Sequence, residues 1–550
     1  MSKKLLYTLL PVFVIYVLNI RIDPMEVDAA QYADMSREML ARGEFLQVFD
    51  LGRDYLDKPP FLFWINSASM YLFGVSHFAF KFPSLLFALF AVFSTYKLAA
   101  LLYNQSVAVI SAIVLASSQC LFLITNDVRT DTILMSWVIF SLWQLIKWVH
   151  SQKLINLIIG FAAIGCGMLT KGPIALIVPV FALGTHFIVK KKFSMFLRWE
   201  YLAGLVVIAI ILLPMCIGLY QQFDLHPEKL VNGKHNVSGL RFFFWTQSFG
   251  RITGESVWDN NAGFFYLIQN MLWSFLPWIF FFLYALVIRA KKIFNRRTKT
   301  NNEAEFYTVG GFLLTYISLA LSNYQLPHYI FVVFPLAAII TGDSLNTMMR
   351  EGPYQKTKLF FFNFHSIFFV LVWVCVIVFT WLVFDTIPLY GKLLSAFGFA
   401  GYLFLVFKIR TRVNGVLIIC LYTIIGANFF LSTFFYPALL KYQMGGEVGR
   451  YVNLHRLPVD SLYILGSNER HALSFYCQRT IPEINDVAEL KEGYYVITGE
   501  EGLLEINKTG RVYKVLINGS RYAVSSLTFK FLNTKSREKS LIKYYLILLE

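Results

Sequence analysis

The chain has 550 residues, of which 57% are hydrophobic and only 15% are charged, and its mean hydropathy is +0.57. This composition excludes an ordinary water-soluble protein and predicts a polytopic α-helical membrane protein. The net charge of +16 comes from Lys and Arg runs between apolar segments, which is typical of topology signals and argues against nucleic-acid binding. All cysteines except Cys477 fall in apolar segments and no CxxC pair occurs, so we expect neither a disulfide framework nor a cysteine-based metal site.

The first apolar segment, residues 5–20, follows two lysines as a signal peptide would, but no small-residue cleavage site comes after it. We therefore expect a retained first helix. It leads into residues 26–60, a polar stretch that is dense in charged side chains. Residues 29–42 combine helical propensity with a mixed apolar and charged surface. This pattern predicts an amphipathic helix along the bilayer interface, with Asp28 capping its first turn.

About thirteen apolar runs are long enough to span a bilayer, which requires roughly 17 to 25 residues for each helix. They lie near residues 4–20, 83–103, 106–124, 132–149, 154–170, 172–190, 201–220, 264–289, 306–323, 329–344, 358–384, 389–407 and 412–435.

The basic residues support this number of spans. If the spans alternate in direction, every main basic group falls on one side, which predicts a cytoplasmic N-terminus. The first extracytoplasmic loop, residues 21–82, and the C-terminal tail then lie on the other side. The basic groups are found at residues 3–4, 147–153, 190–198, 289–299, 350–358 and 408–412.

The chain divides into a membrane domain, residues 1–435, and a tail, residues 436–550, of different character. The tail alternates strand-like and helical patterns, which predicts a small periplasmic α/β domain. The expected strands are residues 462–466, 494–498 and 512–517, and the expected helices are residues 470–476 and 500–506.

Several motifs in the membrane domain resemble one enzyme family when they are taken together. They are Asp28 to Leu40 with Tyr32 and Asp34, Tyr55-Leu-Asp57-Lys58-Pro59-Pro60, Arg129-Thr-Asp131, Leu169-Thr-Lys171-Gly172, Phe242 to Trp245 with Arg251, and Leu326-Pro327-His328-Tyr329. In this order they are similar to motifs of the integral-membrane GT-C glycosyltransferases of the aminoarabinose transferase (ArnT-like) and protein O-mannosyltransferase type.

The resemblance implies a GT-C fold and transfer of a sugar, with inversion, from a polyprenyl-phosphate donor such as undecaprenyl phosphate. The implied acceptor is lipid A, another glycan or a protein on the periplasmic face. Breaking the bond between the anomeric carbon and phosphate builds positive charge on the sugar and leaves an anion on the phosphate. Such a site needs a carboxylate and several cations close together.

Asp28 matches the loop aspartate of the family, which implies a catalytic base for the acceptor; the alternative is a simple helix cap. The family's usual acidic residue after this aspartate is Ala29 here, and its arginine before Tyr32 is Gln31. Acceptor or donor contacts at those two positions are therefore open, and Glu26 is a candidate for the missing carboxylate.

Lys58 matches the family's lysine before the paired prolines, which implies binding of the donor phosphate, with snorkelling to headgroups as the alternative. The prolines restrict the backbone beside it. Asp57 stands where an acidic residue of the family can meet a metal ion, so a divalent metal is a candidate cofactor, although no second ligand is identifiable.

The later motifs supply the remaining candidates. Asp131 is a second catalytic carboxylate or a helix cap, and Lys171 and Arg251 are phosphate ligands, with snorkelling as the alternative for Lys171. Tyr32, Tyr55 and His328 are supporting candidates, although a histidine beside a tyrosine at an interface is more often structural.

Two other functions remain as alternatives. A lipid-linked sugar flippase or transporter would place ionisable residues near the middle of its helices, whereas the apolar runs here are nearly free of acids. An O-antigen ligase or polymerase would concentrate polar residues in a large loop late in the chain rather than after the first helix. The sequence thus favours a transferase and leaves its sugar and acceptor open.

Overall fold

The computed structural model describes residues 3–255, 258–294, 304–350, 355–410, 414–466 and 470–550. These residues form a helical membrane part followed by a sheet-containing C-terminal domain. The α-helices in chain order are α1 Lys3–Asn19, α2 Asp28–Arg42, α3 Phe61–Phe73, α4 His77–Leu102, α5 Gln105–Ala116, α6 Gln119–Asn126, α7 Thr130–Ser151, α8 Leu154–Lys171, α9 Ile174–Val189, α10 Glu200–Leu219, α11 Gly239–Arg241, α12 Gly250–Thr253, α13 Tyr266–Ser274, α14 Ile279–Phe294, α15 Ala304–Ala320, α16 Phe334–Arg350, α17 Gln355–Val378, α18 Leu389–Ile409, α19 Gly415–Phe430, α20 Tyr436–Leu439, α21 Met444–His455, α22 His471–Tyr476, α23 Glu500–Lys508 and α24 Phe529–Leu532.

The apolar runs of the sequence coincide with helices, which confirms the polytopic helical architecture. Among the described residues, eight helices are long and apolar enough to cross a membrane, or nine if the pair α5 and α6, bent by 49°, counts as one span. The remaining runs correspond to shorter apolar helices such as α1, α9 and α15, or to the pair α13 and α14.

The membrane helices form one packed bundle. Helix α7 lies against α4 and α8, α5 against α16, and α9 against α15. Close approach is built into the sequence: a Cβ atom at Gly342 on α16 would lie 2.9 Å from the backbone nitrogen of Ser111 on α5. Small residues at such crossings let two backbones pack directly, which supplies the van der Waals contact that holds helices together in lipid.

Helix α2 differs from the sequence expectation. It begins at Asp28, and its N-cap residue is Val27, whose side chain makes no capping hydrogen bond. Gly43 follows the last helical residue as the C-cap, in the left-handed conformation (φ 67°). Most of α2 is buried between α3 and α22 of the C-terminal domain, and its position along the bilayer interface stays a prediction. Its charges tolerate this burial because they pair internally: Arg37 Nε lies 2.7 Å from Asp34 Oδ1.

The C-terminal domain contains a five-stranded mixed sheet with the order β4-β3-β5-β7-β6. Strand β3 pairs in parallel with β4 and β5, and β7 pairs antiparallel with β5 and β6. The strands of the chain are β1 Phe49–Asp50, β2 Arg53–Asp54, β3 Leu462–Leu465, β4 Glu483–Ile484, β5 Tyr495–Gly499, β6 Tyr513–Arg521 and β7 Ile542–Leu549.

The sequence-based strands and helices of this domain correspond to β3, β5, β6, α22 and α23, which confirms its α/β character. Strands β4 and β7 were not predicted from the sequence. The division after residue 435 falls within the last apolar helical stretch, Gly415–Tyr442, and stays a prediction.

Candidate active site

Asp28 is the first residue of α2, and its carboxylate contacts Arg129 rather than the backbone of its own helix. Arg129 Nη1 donates to Asp28 Oδ2, while Nη2 lies 2.7 Å from Asp127 Oδ2. Although burial lowers it, the pKa of Arg129 is raised overall by Asp127 and Asp28. The expected cap role of Asp28 is therefore wrong: a permanent cation bridges two carboxylates from segments far apart in the chain.

Asp131 and Lys171 form a second, more deeply buried pair. Asp131 is the second residue of α7 and Lys171 the last residue of α8, and Lys171 Nζ lies 2.6 Å from Asp131 Oδ1. The Asp131 side chain is 1% exposed and that of Lys171 17%. His328 Nε2 lies 3.8 Å from the other oxygen of Asp131, and the ring of Tyr329 lies 4.4 Å from Lys171 Nζ.

Arg251 lies in an aromatic enclosure. Its Nη1 donates to the hydroxyl of Tyr329 at 2.5 Å, and its guanidinium lies 5.2 Å from the Tyr324 ring centre and 5.8 Å from that of Trp258. The buried Nε atom of Arg251 has no hydrogen-bond acceptor among the described residues. Buried polar atoms are usually paired, so this donor has capacity for an anionic ligand.

Lys58 follows Asp57 in the loop before α3, where Pro59 and Pro60 restrict the backbone. Within the described chain its ammonium group makes neither a hydrogen bond nor an ion pair. Burial lowers the pKa of Lys58, against the opposing effect of Asp57. Gln247 Nε2 donates to the backbone oxygen of Asp57 and so ties this loop to the segment of Arg251.

The surroundings of Asp57 do not fit a metal ion. Burial raises its pKa, and the charges nearest to it include the cations Lys58 and Arg251. The described residues contain no group of three or more His, Cys, Asp or Glu side chains that could hold a metal. We therefore derive no step through a metal.

These residues line two adjoining pockets. The first encloses about 880 Å³ including its open mouth and is lined mainly by apolar surface, together with three cations. The second encloses about 600 Å³ and is mainly polar. The two pockets share Lys58, Gln247, Arg251 and Tyr329, so these side chains form their common boundary. The first pocket is lined by Lys58, Pro59, Leu134, Lys171, Ile174, Ile177, Gln247, Ser248, Phe249, Arg251, Ser318, Leu319, Ser322 and Tyr329. The second is lined by Asp28, Gln31, Tyr32, Tyr55, Asp57, Lys58, Gln247, Arg251, Trp258, Tyr324, Leu326, His328 and Tyr329.

Most residues singled out from the sequence are brought together here. Tyr32, Tyr55 and His328 line the polar pocket, and burial raises the pKa of both tyrosines well above 10, so they present neutral hydroxyl groups. Asp131 lines neither pocket, and it contacts the pocket residue Lys171 through their ion pair. The geometry therefore favours a positioning role for Asp131 over the catalytic role expected from the sequence.

Glu26 lies away from both pockets. Its Oε1 accepts a hydrogen bond from the backbone nitrogen of Ala472 at 2.9 Å, at the start of α22. A carboxylate at a helix N-terminus is stabilised there by the free N–H groups, so Glu26 fastens the C-terminal domain instead of supplying the missing site carboxylate.

Three residues that line the pockets were not predicted from the sequence. Gln247 lines both pockets, and Trp258 and Tyr324 line the second one. They lie between the recognised motifs and have no motif of their own. The one available signal was closeness in the chain, of Gln247 and Trp258 to Arg251 and of Tyr324 to the motif that begins at Leu326.

Comparison with solved structures identifies the fold. The chain superposes on ArnT from Cupriavidus metallidurans bound to undecaprenyl phosphate with a TM-score of 0.73 and 17% identity, covering 94% of this chain and 96% of that one. The apo form of the same protein gives a TM-score of 0.70 with 18% identity, covering 94% and 97%. This chain has the GT-C fold.

Sequence comparisons agree with the GT-C fold. A family model described as dolichyl-phosphate-mannose-protein mannosyltransferase matches residues 57–217, a range that contains Lys58, Asp131 and Lys171 but not Asp28 or Arg251.

Two relatives are named undecaprenyl phosphate-alpha-4-amino-4-deoxy-L-arabinose arabinosyl transferase. The protein from Edwardsiella ictaluri is 27% identical over 57% of this chain and 54% of its own length. That from Erwinia tasmaniensis is 28% identical over 58% and 55%. The match therefore spans about half the length of these relatives.

Proposed function

We propose that this GT-C chain is an inverting glycosyltransferase that moves a sugar from a polyprenyl-phosphate donor to an acceptor at the periplasmic face of the bacterial inner membrane. One observation carries the proposal: Lys58, Lys171 and Arg251 line one mainly apolar cavity, which shares Lys58 and Arg251 with the polar pocket of Asp28. The relatives named as undecaprenyl-phosphate-dependent transferases, and the ArnT structure bound to undecaprenyl phosphate, support the same donor class.

The first pocket fits the two chemical parts of such a donor. Ile174, Ile177 and Leu319 offer apolar surface to the polyprenyl chain, which gains free energy when it leaves water. The cations offer charge-assisted hydrogen bonds to the phosphate oxygens. Ligand pockets typically combine an apolar lining with a few polar groups that orient the ligand. Lys58 and Arg251 also line the second pocket, so a phosphate bound to them would direct the sugar of the donor toward that pocket.

The transfer step follows from this orientation. An acceptor oxygen in the polar pocket attacks the anomeric carbon on the face opposite the phosphate, and the bond between that carbon and the phosphate oxygen breaks. The electron pair leaves with polyprenyl phosphate, whose charge is stabilised by Lys58, Lys171 and Arg251. Asp28 accepts the acceptor proton, and its negative charge also favours the positive charge that develops on the sugar ring.

Two further residues hold the reacting groups in place. Arg129 fixes one oxygen of Asp28, which leaves the second oxygen for the acceptor. Asp131 fixes Lys171 at 2.6 Å, so the ammonium is aimed before the donor arrives. Holding charged groups in advance avoids reorganisation during the reaction, which is a main source of enzymatic rate enhancement.

The proposed orientation in the membrane rests on helix α9. It begins just after Lys171 and ends at Val189, directly before the basic residues 190–192. A helix of 16 residues is about 24 Å long, so these cations lie about that far from the site. Cytoplasmic loops are rich in Lys and Arg, which supports a periplasmic position for the site and the C-terminal domain.

The proposal is tested by mass spectrometry of lipid A and cell-envelope glycans from cells that carry the gene, lack it, or carry Asp28→Asn. We expect a sugar-sized mass difference that depends on the gene and is lost with Asp28→Asn. Asp385→Asn, at an exposed position between α17 and α18, is the matched control and should retain the modification.

The outcomes separate the alternatives. If every glycan is unchanged when the gene is removed, the transferase proposal fails. An acceptor that is already a phosphate anion needs no proton transfer, so a modified phosphate with normal yield in Asp28→Asn would remove the base role of Asp28 while keeping the transfer.

A further inference from the structure

One short helix of the C-terminal domain packs against the first loop. Helix α22 packs along α2, and its Phe475 joins the buried cluster that contains Tyr32 and Phe63. The side chain of Thr480 accepts a hydrogen bond from Arg37 Nη2 at 3.0 Å. The wall of the polar pocket and the C-terminal domain therefore share one core.

A hydrogen-bonded chain of three side chains crosses this interface. His471 Nε2, at the start of α22, lies 2.8 Å from Asp50 Oδ1 in the strand β1. Asp50 Oδ2 accepts a second hydrogen bond from Gln31 Nε2 at 2.7 Å. Gln31 lines the polar pocket beside Asp28.

The chemistry of Asp50 fixes the orientation of Gln31. An ionised carboxylate only accepts hydrogen bonds, so the amide nitrogen of Gln31 must face it. This leaves the amide oxygen Oε1 as the group that Gln31 offers to a hydroxyl group in the pocket. Without Asp50 held in place, the amide could rotate and present either atom.

We propose that His471 is a positioning residue: through Asp50 it fixes Gln31 as a hydrogen-bond acceptor for a hydroxyl of the transferred sugar or of the acceptor. This inference rests on the proposed function and gives the C-terminal domain a part in substrate binding. The domain then contributes to the site without reaching into the pocket itself.

Electrostatics support a charged pair at neutral pH. The groups that face His471 from neighbouring elements are Asp50, Glu26 and Asp34, and although burial lowers it, they raise the pKa of His471 overall. Burial acts to raise the pKa of Asp50, but His471, Gln31 and Arg470 together lower it overall. The ion pair is therefore complete between the two pKa values and weakens as pH rises through that of His471.

The test compares His471→Ala and His471→Gln in the full-length protein in nanodiscs. We expect His471→Ala to lower kcat/KM about tenfold, mainly through KM, because a hydrogen bond to a charged group is lost. His471→Gln keeps a donor, so it should recover most of this loss and remove the decline in kcat/KM that follows deprotonation of His471. His455→Ala is the control, since His455 is an exposed histidine of the same domain.

A double-mutant cycle and a readout without catalysis complete the test. In a Gln31→Ala background, His471→Ala should cost little more; a full additional tenfold loss would overturn the relay. Hydrogen exchange of residues 28–55 should rise in His471→Ala but not in His455→Ala, even if no sugar is transferred. Unchanged exchange in His471→Ala would also refute the relay, whereas an inactive wild type with increased exchange in the variant would refute only the transferase proposal.

Discussion

Replacement of Lys171 separates its contribution to stability from its contribution to donor binding. Lys171→Met leaves Asp131 buried without its ammonium partner, and breaking a buried pair in this way typically costs about 3–5 kcal/mol. His328 Nε2 lies 3.8 Å from Asp131, beyond hydrogen-bonding distance, and does not replace the ammonium, so we expect a cost within this range. Loss of a charge-assisted bond to phosphate removes about 1.5–3 kcal/mol of donor binding, or roughly 10- to 150-fold in affinity.

The double variant Lys171→Met/Asp131→Leu distinguishes the two effects. An apolar pair of similar size removes the unpaired charge, so thermal stability should return to the wild-type level or above it, because replacing a buried ion pair is often neutral or stabilising. Donor affinity should stay low, because the ammonium is still absent.

The assay is thermal unfolding and binding of a polyprenyl phosphate, both measured in nanodiscs of the same lipid. Lys508→Met, at an exposed position on α23, is the control for the loss of a lysine. If the double variant binds donor like the wild type, Lys171 is not a phosphate ligand. If Lys171→Met alone unfolds at the wild-type temperature, Lys171 does not stabilise the buried carboxylate of Asp131.

Three further variants test the other charges. Arg251→Lys cannot keep both its bond to Tyr329 and a forked contact with phosphate, so donor KM should rise about tenfold, and an unchanged KM would exclude this contact. Burial lowers the pKa of Lys58, so donor binding should weaken as pH rises through that value, whereas Lys58→Arg should bind with a flatter pH profile; identical profiles would contradict a titrating Lys58. Burial raises the pKa of Asp34 to about 6 despite Arg37, so its ionisation opposes folding, and the unfolding temperature should fall as pH rises through about 6. Asp34→Asn should remove that fall, and a wild-type curve that stays flat would refute the assignment.

Hydropathy was sufficient to predict the membrane helices because each span needs a long apolar run, whatever its neighbours are. It missed α3, which has only 13 residues and lies after the polar stretch in the first extracytoplasmic loop, residues 21–82, where no apolar span was predicted. It also missed β7, in which the adjacent residues Leu546 and Ile547 are both buried, so the alternation that marks a half-exposed strand is absent.

The candidate site was predictable in its residues but not in its pairings. Motif resemblance selected Asp28, Lys58, Lys171 and Arg251, and all four line the two pockets. The partners could not be inferred, because Arg129 lies 101 residues from Asp28 in the chain. Only packing determines whether an acid caps its own helix or pairs with such a distant cation.

The burial of α2 has the same origin. Its mixed surface predicts a helix at a boundary between apolar and polar surroundings, and α2 does lie at a boundary. The C-terminal domain forms one side of this boundary through α22, and a single-helix pattern cannot distinguish a protein partner from lipid headgroups.

The stereochemistry of transfer tests the central claim most directly. Purified wild-type protein in nanodiscs would receive a polyprenyl-phosphate sugar of known anomeric configuration and the acceptor found in cells, and nuclear magnetic resonance would report the configuration of the product. Attack from the pocket of Asp28, opposite a phosphate held by Lys58, Lys171 and Arg251, predicts an inverted product. A product with retained configuration, or no transfer by folded protein that binds the donor, would contradict this account.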